Sequence, residues 1–331
     1  MLRVRTEDAV GKVLAYDTTY VGPDKAAVLL RRGHIITEED VRRLKDSGVY
    51  YVWIEGGEEE PGYVYEWDIT PYVAERIIGK NLVYEYAGQG LTRVKTEVPG
   101  ILRVDAERLT EFNENGKVLV ITHNDRRALG KDELAAVIEV VPFKMRREEL
   151  ESLKYSRMLS LEEFKLRKLG AVITGTEVYE GRKKDAYLPI IRAKCDKYGW
   201  TLVYHEFAPD DESRIAKAIT NAFDAGAEAV VVTGGMSVDA TDRTIPAILS
   251  LGAELVAYGI PMKPTTMTAV AYLSGRPIFA ISAGGIYYSE WNSMDVILTR
   301  LMAGERLTKR DLASLGVGGL TDIYLRKPHS H

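Results

Sequence analysis

In the second half of the chain, three short stretches of small, hydroxyl-bearing residues follow apolar runs: Thr174, Gly175, Thr176 and Glu177; Thr233, Gly234, Gly235, Met236 and Ser237; Ser282, Ala283, Gly284 and Gly285. Glycine lets main-chain N–H groups approach an oxyanion without a Cβ in the way, and a helix beginning just beyond adds its positive end. Taken together, such loops suit the holding of a phosphate or carboxylate; taken singly, each glycine is explained by a tight turn. Carboxylates crowd the same stretches, at Glu177, Asp210, Asp211, Asp239 and Asp242. A carboxylate beside a phosphate repels it unless a divalent cation intervenes, and Mg2+ is commonly held by one or two carboxylates plus ligand phosphate oxygens. A bound Mg2+ is therefore expected. Asp242 has the best position, five residues after Ser237 and two before Thr244, at the mouth of a helix that it could cap while facing a ligand. Asp210 and Asp211 could equally cap the helix that follows them, and Asp239 could be a solvated turn residue. The candidate cations are Lys183, Lys184 and, better placed in the loop PMKPTT, Lys263. Cys195 falls mid-helix among Ile191, Ala193 and Tyr198, with no identifiable base, which predicts buried packing and not a nucleophile.

The elements that would carry these residues alternate between strand and helix from about residue 168, a pattern that argues for βαβ units around a parallel sheet. Strands are expected at LGAVITG, TLVYHEF, EAVVVTGG, ELVAYGI and PIFAIS, with a long helix from about Tyr288 to Ala303. Within DDESRIAKAITNAFDAG, the apolar residues Ile215, Ala218, Ile219, Ala222 and Phe223 recur at helical spacing and predict one buried face. In an open parallel sheet, ligands bind at the carboxyl ends of the strands near the switch in strand order, so the three loops are expected to share one rim. The first half reads differently. Short strands broken by turns dominate it, with one helix in GHIITEEDVRRLKDSG, where Thr37 and Asp40 form a capping-box pair and Gly48 is the stop. The expected division is a β-rich region over 1–145, a connecting helix over 146–165, an α/β domain over 166–320 and a polar tail over 321–331.

Composition narrows the functions. The 331 residues are 46% hydrophobic, enough for more than one core. A formal net charge of −4 lacks the basic excess that nucleic-acid binding demands. With a single cysteine there is no internal disulfide framework, which fits a reducing, cytoplasmic setting. No apolar run approaches the roughly 18 residues that a membrane span needs, so no membrane partner is expected.

The stretch VVVTGGMSVDATDRTIPAI, preceded by VITGTEVYEGRKKDA, resembles the signature of the molybdopterin-binding domain shared by molybdopterin adenylyltransferases and molybdopterin molybdotransferases, over roughly residues 168–320. RRGHIITEEDVRRLKDSGVYYVWI in the first half also resembles a segment of molybdotransferase-like proteins. The resemblance implies an α/β fold, a parallel-rich sheet with helices on both faces, and a small-molecule pterin phosphate as ligand. It assigns contacts with molybdopterin to Thr174, Gly175, Glu177, Thr233, Gly234, Gly235 and Ser237, and the strand-end loops themselves add Thr176, Lys263, Ser282 and Gly284 as candidate contacts. Asp242 takes the catalytic role and, with Glu177, would hold Mg2+; an ATP or AMP moiety and molybdate or tungstate are the implied co-substrates. The chain departs from the family where a proline-glycine-lysine-proline loop is replaced by Pro261, Met262, Lys263 and Pro264. It departs again where leucine-proline-glycine-asparagine-proline is replaced by Ile281, Ser282, Ala283, Gly284 and Gly285. The implied function is molybdenum cofactor biosynthesis or metal insertion; the alternatives are a non-catalytic cofactor carrier or sensor and a metal-dependent nucleotide pyrophosphatase. Oligomeric state is left open, a homo-oligomer included.

Overall fold

The computed structural model describes residues 1–331 apart from 24–25, 57–59, 237–241, 289, 322–323 and 326–331. The second half is built on one six-stranded sheet whose strands are β1 (Lys168–Thr174), β2 (Thr201–Ala208), β3 (Ala229–Thr233), β4 (Glu254–Tyr258), β5 (Thr268–Leu273) and β6 (Arg276–Ile281). Their spatial order is β2-β1-β3-β6-β5-β4. The first four in that order run parallel, while β5 is antiparallel to β6 and β4 antiparallel to β5. From β1 the chain goes outward to β2 and returns across β1 to β3, so the switch in strand order lies between β1 and β3. Register does the positioning. Thr174 pairs with Ala208, Ile173 with Thr233, and Thr233 with Ile281, which sets the ends of β1, β2, β3 and β6 at one level.

Helices α1 (Thr176–Tyr179), α2 (Tyr187–Tyr198), α3 (Glu212–Asp224), α4 (Thr244–Ser250), α5 (Ala283–Tyr288), α6 (Thr299–Met302) and α7 (Lys309–Ala313) complete the domain. Alternate residues of a strand face opposite sides. Leu169, Ala171 and Ile173 of β1 accordingly pack with Ile191, Cys195 and Tyr198 of α2, while Val172 packs with Ile215, Ala218, Ile219 and Ala222 of α3. Both faces are covered, as β-branched, all-apolar strands require. Cys195 is buried and its thiol is pushed up to about 12 by desolvation, so it is packing, not a nucleophile.

Two expectations for this half need correction. Strand β5 is additional to the expected strands; it forms because Ser274 and Gly275, with φ of 51° and 80°, make a two-residue turn that folds β5 back on β6. The helix expected from Tyr288 to Ala303 is instead α5, then a π-helical turn at Met294–Leu298 that runs into α6. A buried ion pair accounts for that turn's setting. Asp295, fully buried, accepts hydrogen bonds from Lys194 Nζ on both oxygens at 2.7 Å, from the Tyr198 hydroxyl at 2.6 Å and from Asn292 N at 2.9 Å.

The first half contains more helix than expected. Glu38–Asp46 is capped by Thr37 and Asp40 as the sequence indicates, and Gly48 follows it at φ 79°. Two further helices, Glu66–Ile77 and Ala106–Asn113, lie beyond the expected elements, each short and set between strand-like runs, although Asp105 caps the second by accepting from Arg108 N. A four-stranded antiparallel sheet (Leu82–Gly88, Leu91–Thr96, Leu134–Val140, Val118–Thr122) packs against Glu66–Ile77. The connecting helix expected over 146–165 shrinks to Arg147–Glu151, and Leu159–Glu163 is a strand paired with Gly100–Val104. Burial there alternates, with Leu159 and Leu161 inside, and the period of two decides for strand over helix.

Where the N-terminal segment meets this module, Tyr16, Trp53, Tyr65, Trp67 and Phe143 form a ring cluster around Glu66. The buried Glu66 carboxylate accepts hydrogen bonds from the hydroxyls of Tyr16 at 3.0 Å and Tyr86 at 3.3 Å. Desolvation raises its pKa above the ordinary 4.5 against those bonds. Because the folded state holds the Glu66 proton more tightly than the unfolded chain, this stabilisation is complete below 4.5 and is lost as pH rises through the raised value. Glu66→Gln, which keeps the shape without the charge, is expected to melt a few degrees above wild type in alkaline buffer, with the gap closing as pH falls toward about 4. Melting curves of both proteins across that range check it.

Candidate functional site

The end of β1 and the end of β3 are joined by one side chain: Thr174 Oγ1 donates to the Thr233 carbonyl at 2.7 Å. Gly234 N then donates to the Ile281 carbonyl of β6 at 3.0 Å, and the buried Thr244 at the start of α4 donates through Oγ1 to the Gly234 carbonyl at 2.9 Å. Gly234 and Gly235 sit at φ of 87° and 56°, a region side chains resist. A Cβ on Gly234 would lie 2.7 Å from Thr174 Oγ1, and one on Gly235 would lie 2.7 Å from Thr244 Oγ1. Both glycines are therefore dictated by close approach as well as by backbone shape. On the far side, the Tyr258 hydroxyl at the end of β4 donates to the Met236 carbonyl at 2.6 Å.

The first loop is braced separately. Thr176 donates from N and Oγ1 to Asp210 Oδ2 at 2.9 and 3.0 Å, and Asp210 N returns a bond to Thr176 Oγ1 at 3.1 Å. Asp210 thus ties the end of β2 to the loop after β1, and Asp211 caps α3 through Arg214 N at 2.9 Å. Both carboxylates are thus engaged by main-chain N–H groups. Glu177 stays half-buried beside Gly175, and Asp242 half-buried just before α4. Ser237 and Asp239 lie outside the described residues. Among the described residues no group of three metal-ligating side chains gathers, so a cation here would need oxygens from its ligand.

The third loop is not a free loop. Ser282 leads straight into α5, its carbonyl accepting from Gly285 N at 3.1 Å, while Gly284 is exposed and Gly285 buried against Thr265. Lys263 reaches the rim through the turn between β4 and β5, where its N donates to the Gly319 carbonyl at 2.8 Å and its ammonium lies 5.7 Å from the centre of the Tyr324 ring. Lys183 and Lys184 are exposed. The rim thus unites Thr174 to Glu177, Thr233 to Met236 and Ser282 to Gly285 at the strand ends, with Lys263 at one side.

Two features of the rim escaped the sequence. Thr233 Oγ1 and Thr265 Oγ1 are buried and have no hydrogen-bond partner among the described residues. A buried hydroxyl left unpaired is costly, and donors left waiting at strand ends suit a polar ligand. Tyr187 at the start of α2 and Tyr287 of α5 pack with ring centres 4.6 Å apart and their planes tilted by 34°. Burial raises the Tyr187 pKa first, its bond and proximity to Tyr287 next, and the charges of Glu177 and Asp185 after that, which places the pair beside the first loop. Its partners are about a hundred residues apart in sequence, so no local pattern signals it.

Residues 170–302 match the family described as a probable molybdopterin binding domain. This segment belongs to the molybdopterin-binding domain family. Residues 3–56 match a second family, described only as a domain of unknown function. Over 105 residues the chain is 29% identical to a molybdopterin adenylyltransferase of Pyrococcus furiosus, an alignment covering 32% of this chain and 62% of that protein. A molybdopterin molybdenumtransferase of Staphylococcus aureus is 25% identical over 121 residues, covering 34% of this chain and 29% of the relative. The chain therefore spans less than two thirds of either curated relative. Among solved structures, the tungsten cofactor synthesizing protein MoaB from Pyrococcus furiosus superposes with a TM-score of 0.28 at 21% identity, over 36% of this chain and 81% of that one.

The molybdopterin-binding domain holds every glycine-rich rim segment named above. In it, Gly234→Ala is expected to force a left-handed alanine onto Thr174 and to lower the unfolding free energy by about 1–3 kcal/mol. Denaturant unfolding of the variant checks this; an unchanged midpoint would mean that Thr174 and Gly234 are not in contact.

Proposed function

We propose that the rim binds molybdopterin or its adenylate, and that the protein acts in molybdenum cofactor biosynthesis or metal insertion. The observation that carries this reading is the tight Thr174–Gly234–Gly235 junction with the unpaired Thr233 hydroxyl beneath it, lying inside the segment that matches the family. Main-chain amides freed of Cβ groups at Gly234 and Gly235 suit phosphate oxygens, and Thr233 and Thr265 suit the polar edge of the heterocycle. The Tyr187–Tyr287 pair offers an aromatic surface next to Glu177. Asp242 and Glu177 are the carboxylates that would hold Mg2+ together with phosphate oxygens. When bound, Mg2+ neutralises the phosphate charge that these carboxylates would otherwise repel. The residues then position and desolvate the reacting phosphate, with no covalent nucleophile required. An adenylated ligand would supply the AMP moiety, and molybdate or tungstate would be the metal substrate. The lone buried cysteine suits a reducing cytoplasm, and no helix among the described residues is long and apolar enough to cross a membrane.

A carrier or sensor is the second reading. It is favoured by the loss of the family's proline-bearing loop at Ile281–Gly285, where the chain enters α5 at once and leaves less room for a reacting partner.

Purification from a host that makes the cofactor, followed by oxidation of the bound fraction, is expected to release a fluorescent pterin together with molybdenum or tungsten. Asp242→Asn is expected to retain the pterin while Mg2+-dependent turnover of ATP falls by about two orders of magnitude or more. Absence of pterin would sink the reading. Pterin without turnover in wild type would select the carrier, and hydrolysis of ADP-ribose without pterin the pyrophosphatase.

A further inference from the structure

A cavity of about 320 Å³ opens between residues 124–127 of the first half and the last elements of the molybdopterin-binding domain. Its size falls at the lower end of small-molecule sites, roughly 300–1,000 Å³. Met262, Val296 and Leu315 give it an apolar wall, and Gly318 and Gly319 bring main chain to its edge. Arg127 sits over Trp291 with its guanidinium carbon 3.3 Å from the ring centre.

The charges around it are matched except for one. Asp295, which also lines the cavity, is neutralised by Lys194. Lys197 pairs with Glu133 at 2.9 Å, and Arg126 lies 3.7 Å from Asp125. Arg127 makes no ion pair among the described residues, and its Nε is buried without a hydrogen-bond partner. A partly desolvated guanidinium left unpaired is costly, and its planar fork matches a carboxylate or phosphate. Burial already works against its charge, lowering the pKa from the ordinary value.

From the unpaired Arg127 guanidinium at the polar end of this apolar-walled cavity, we infer a second ligand site, for a small organic anion whose oxyanion head, phosphate or carboxylate, meets Arg127 while its body lies against Met262, Val296 and Leu315. Because its walls come from both halves of the chain, occupancy fastens them together. The inference does not rest on what the rim binds.

Phenyl phosphate and benzoate serve as probes, titrated into the full chain with tryptophan fluorescence and melting temperature as readouts. Saturable binding with a rise in melting temperature is expected for at least one probe. Arg127→Met is expected to weaken it about tenfold or more, as loss of a charge-assisted contact would. Val317→Glu provides the second variant, since Val317 lines the mouth and is 95% exposed, so that a carboxylate there is tolerated by the fold and repels the anion. It too is expected to weaken binding, whereas Gly234→Ala at the rim leaves it unaltered. Failure of both probes to bind wild type would overturn the site, as would equal affinity in Arg127→Met or, should that variant not fold, in Val317→Glu.

Discussion

The rim depends on one constraint, the parallel register that brings Ile173 against Thr233 and Thr233 against Ile281. Parallel strands cannot be joined by tight turns, so each must be followed by a crossover, and the crossover begins with whatever residues the strand end presents. Here those residues are small. Thr174 can then reach the Thr233 carbonyl, and Gly234 can accept the Thr174 side chain at a distance no Cβ allows. A bulkier residue at any of these positions would separate β1 from β3 at the point where the strand order reverses. The concave site is thus a by-product of how close two strand ends are allowed to come.

Around that junction, polar groups are sorted by use. Asp210, Asp211 and Asp185 spend their oxygens on main-chain N–H groups, bracing a loop or capping a helix. The hydroxyls of Thr174 and Thr244 are consumed in holding Thr233 and Gly234. Left buried without a partner among the described residues are the hydroxyls of Thr233 and Thr265 at the rim and Arg127 Nε at the junction with the first half, with Thr18 Oγ1 and Trp200 Nε1 elsewhere. In a protein interior where polar groups are satisfied nearly everywhere, those at the rim and beside the cavity are where a polar ligand would have partners ready.

Local patterns in the sequence carried much of this. The glycine pair after a run of valines, the helical spacing of Ile215, Ala218, Ile219 and Ala222, and the Thr37–Asp40 capping box are each set by neighbours within a few residues, and each appears in the structure where the spacing puts it. The illegible parts are those fixed by distant partners. Tyr187 and Tyr287 are a hundred residues apart, Lys194 and Asp295 are separated by 101, and Arg103 reaches Glu305 across 202. Strand β5 was missed for a different reason. Its apolar run lies between the strands expected at ELVAYGI and PIFAIS, and only the left-handed turn at Ser274 and Gly275 reveals it as a hairpin partner of β6. The 146–165 segment misled because its charged start, Arg147–Glu151, is helical while its end alternates.

The buried Lys194–Asp295 pair shows how these distant contacts bear on the rim. Removing one partner of such a pair leaves a charge in the interior, at a cost of about 3–5 kcal/mol, so the pair holds α2 against the π-helical turn. Lys194 belongs to α2, whose first residue is Tyr187, and it also donates to the Glu290 carbonyl just beyond α5, which carries Tyr287. The ion pair therefore fixes the two tyrosines relative to each other from below. Asp295 in turn lines the cavity in which Arg127 sits over Trp291, four residues earlier on the same segment. Arg127 of the first half thus lies against the same segment that carries the partner of Lys194. Trp291 and Asp295 therefore place a contact from the first half and the anchor of α2 on one short segment.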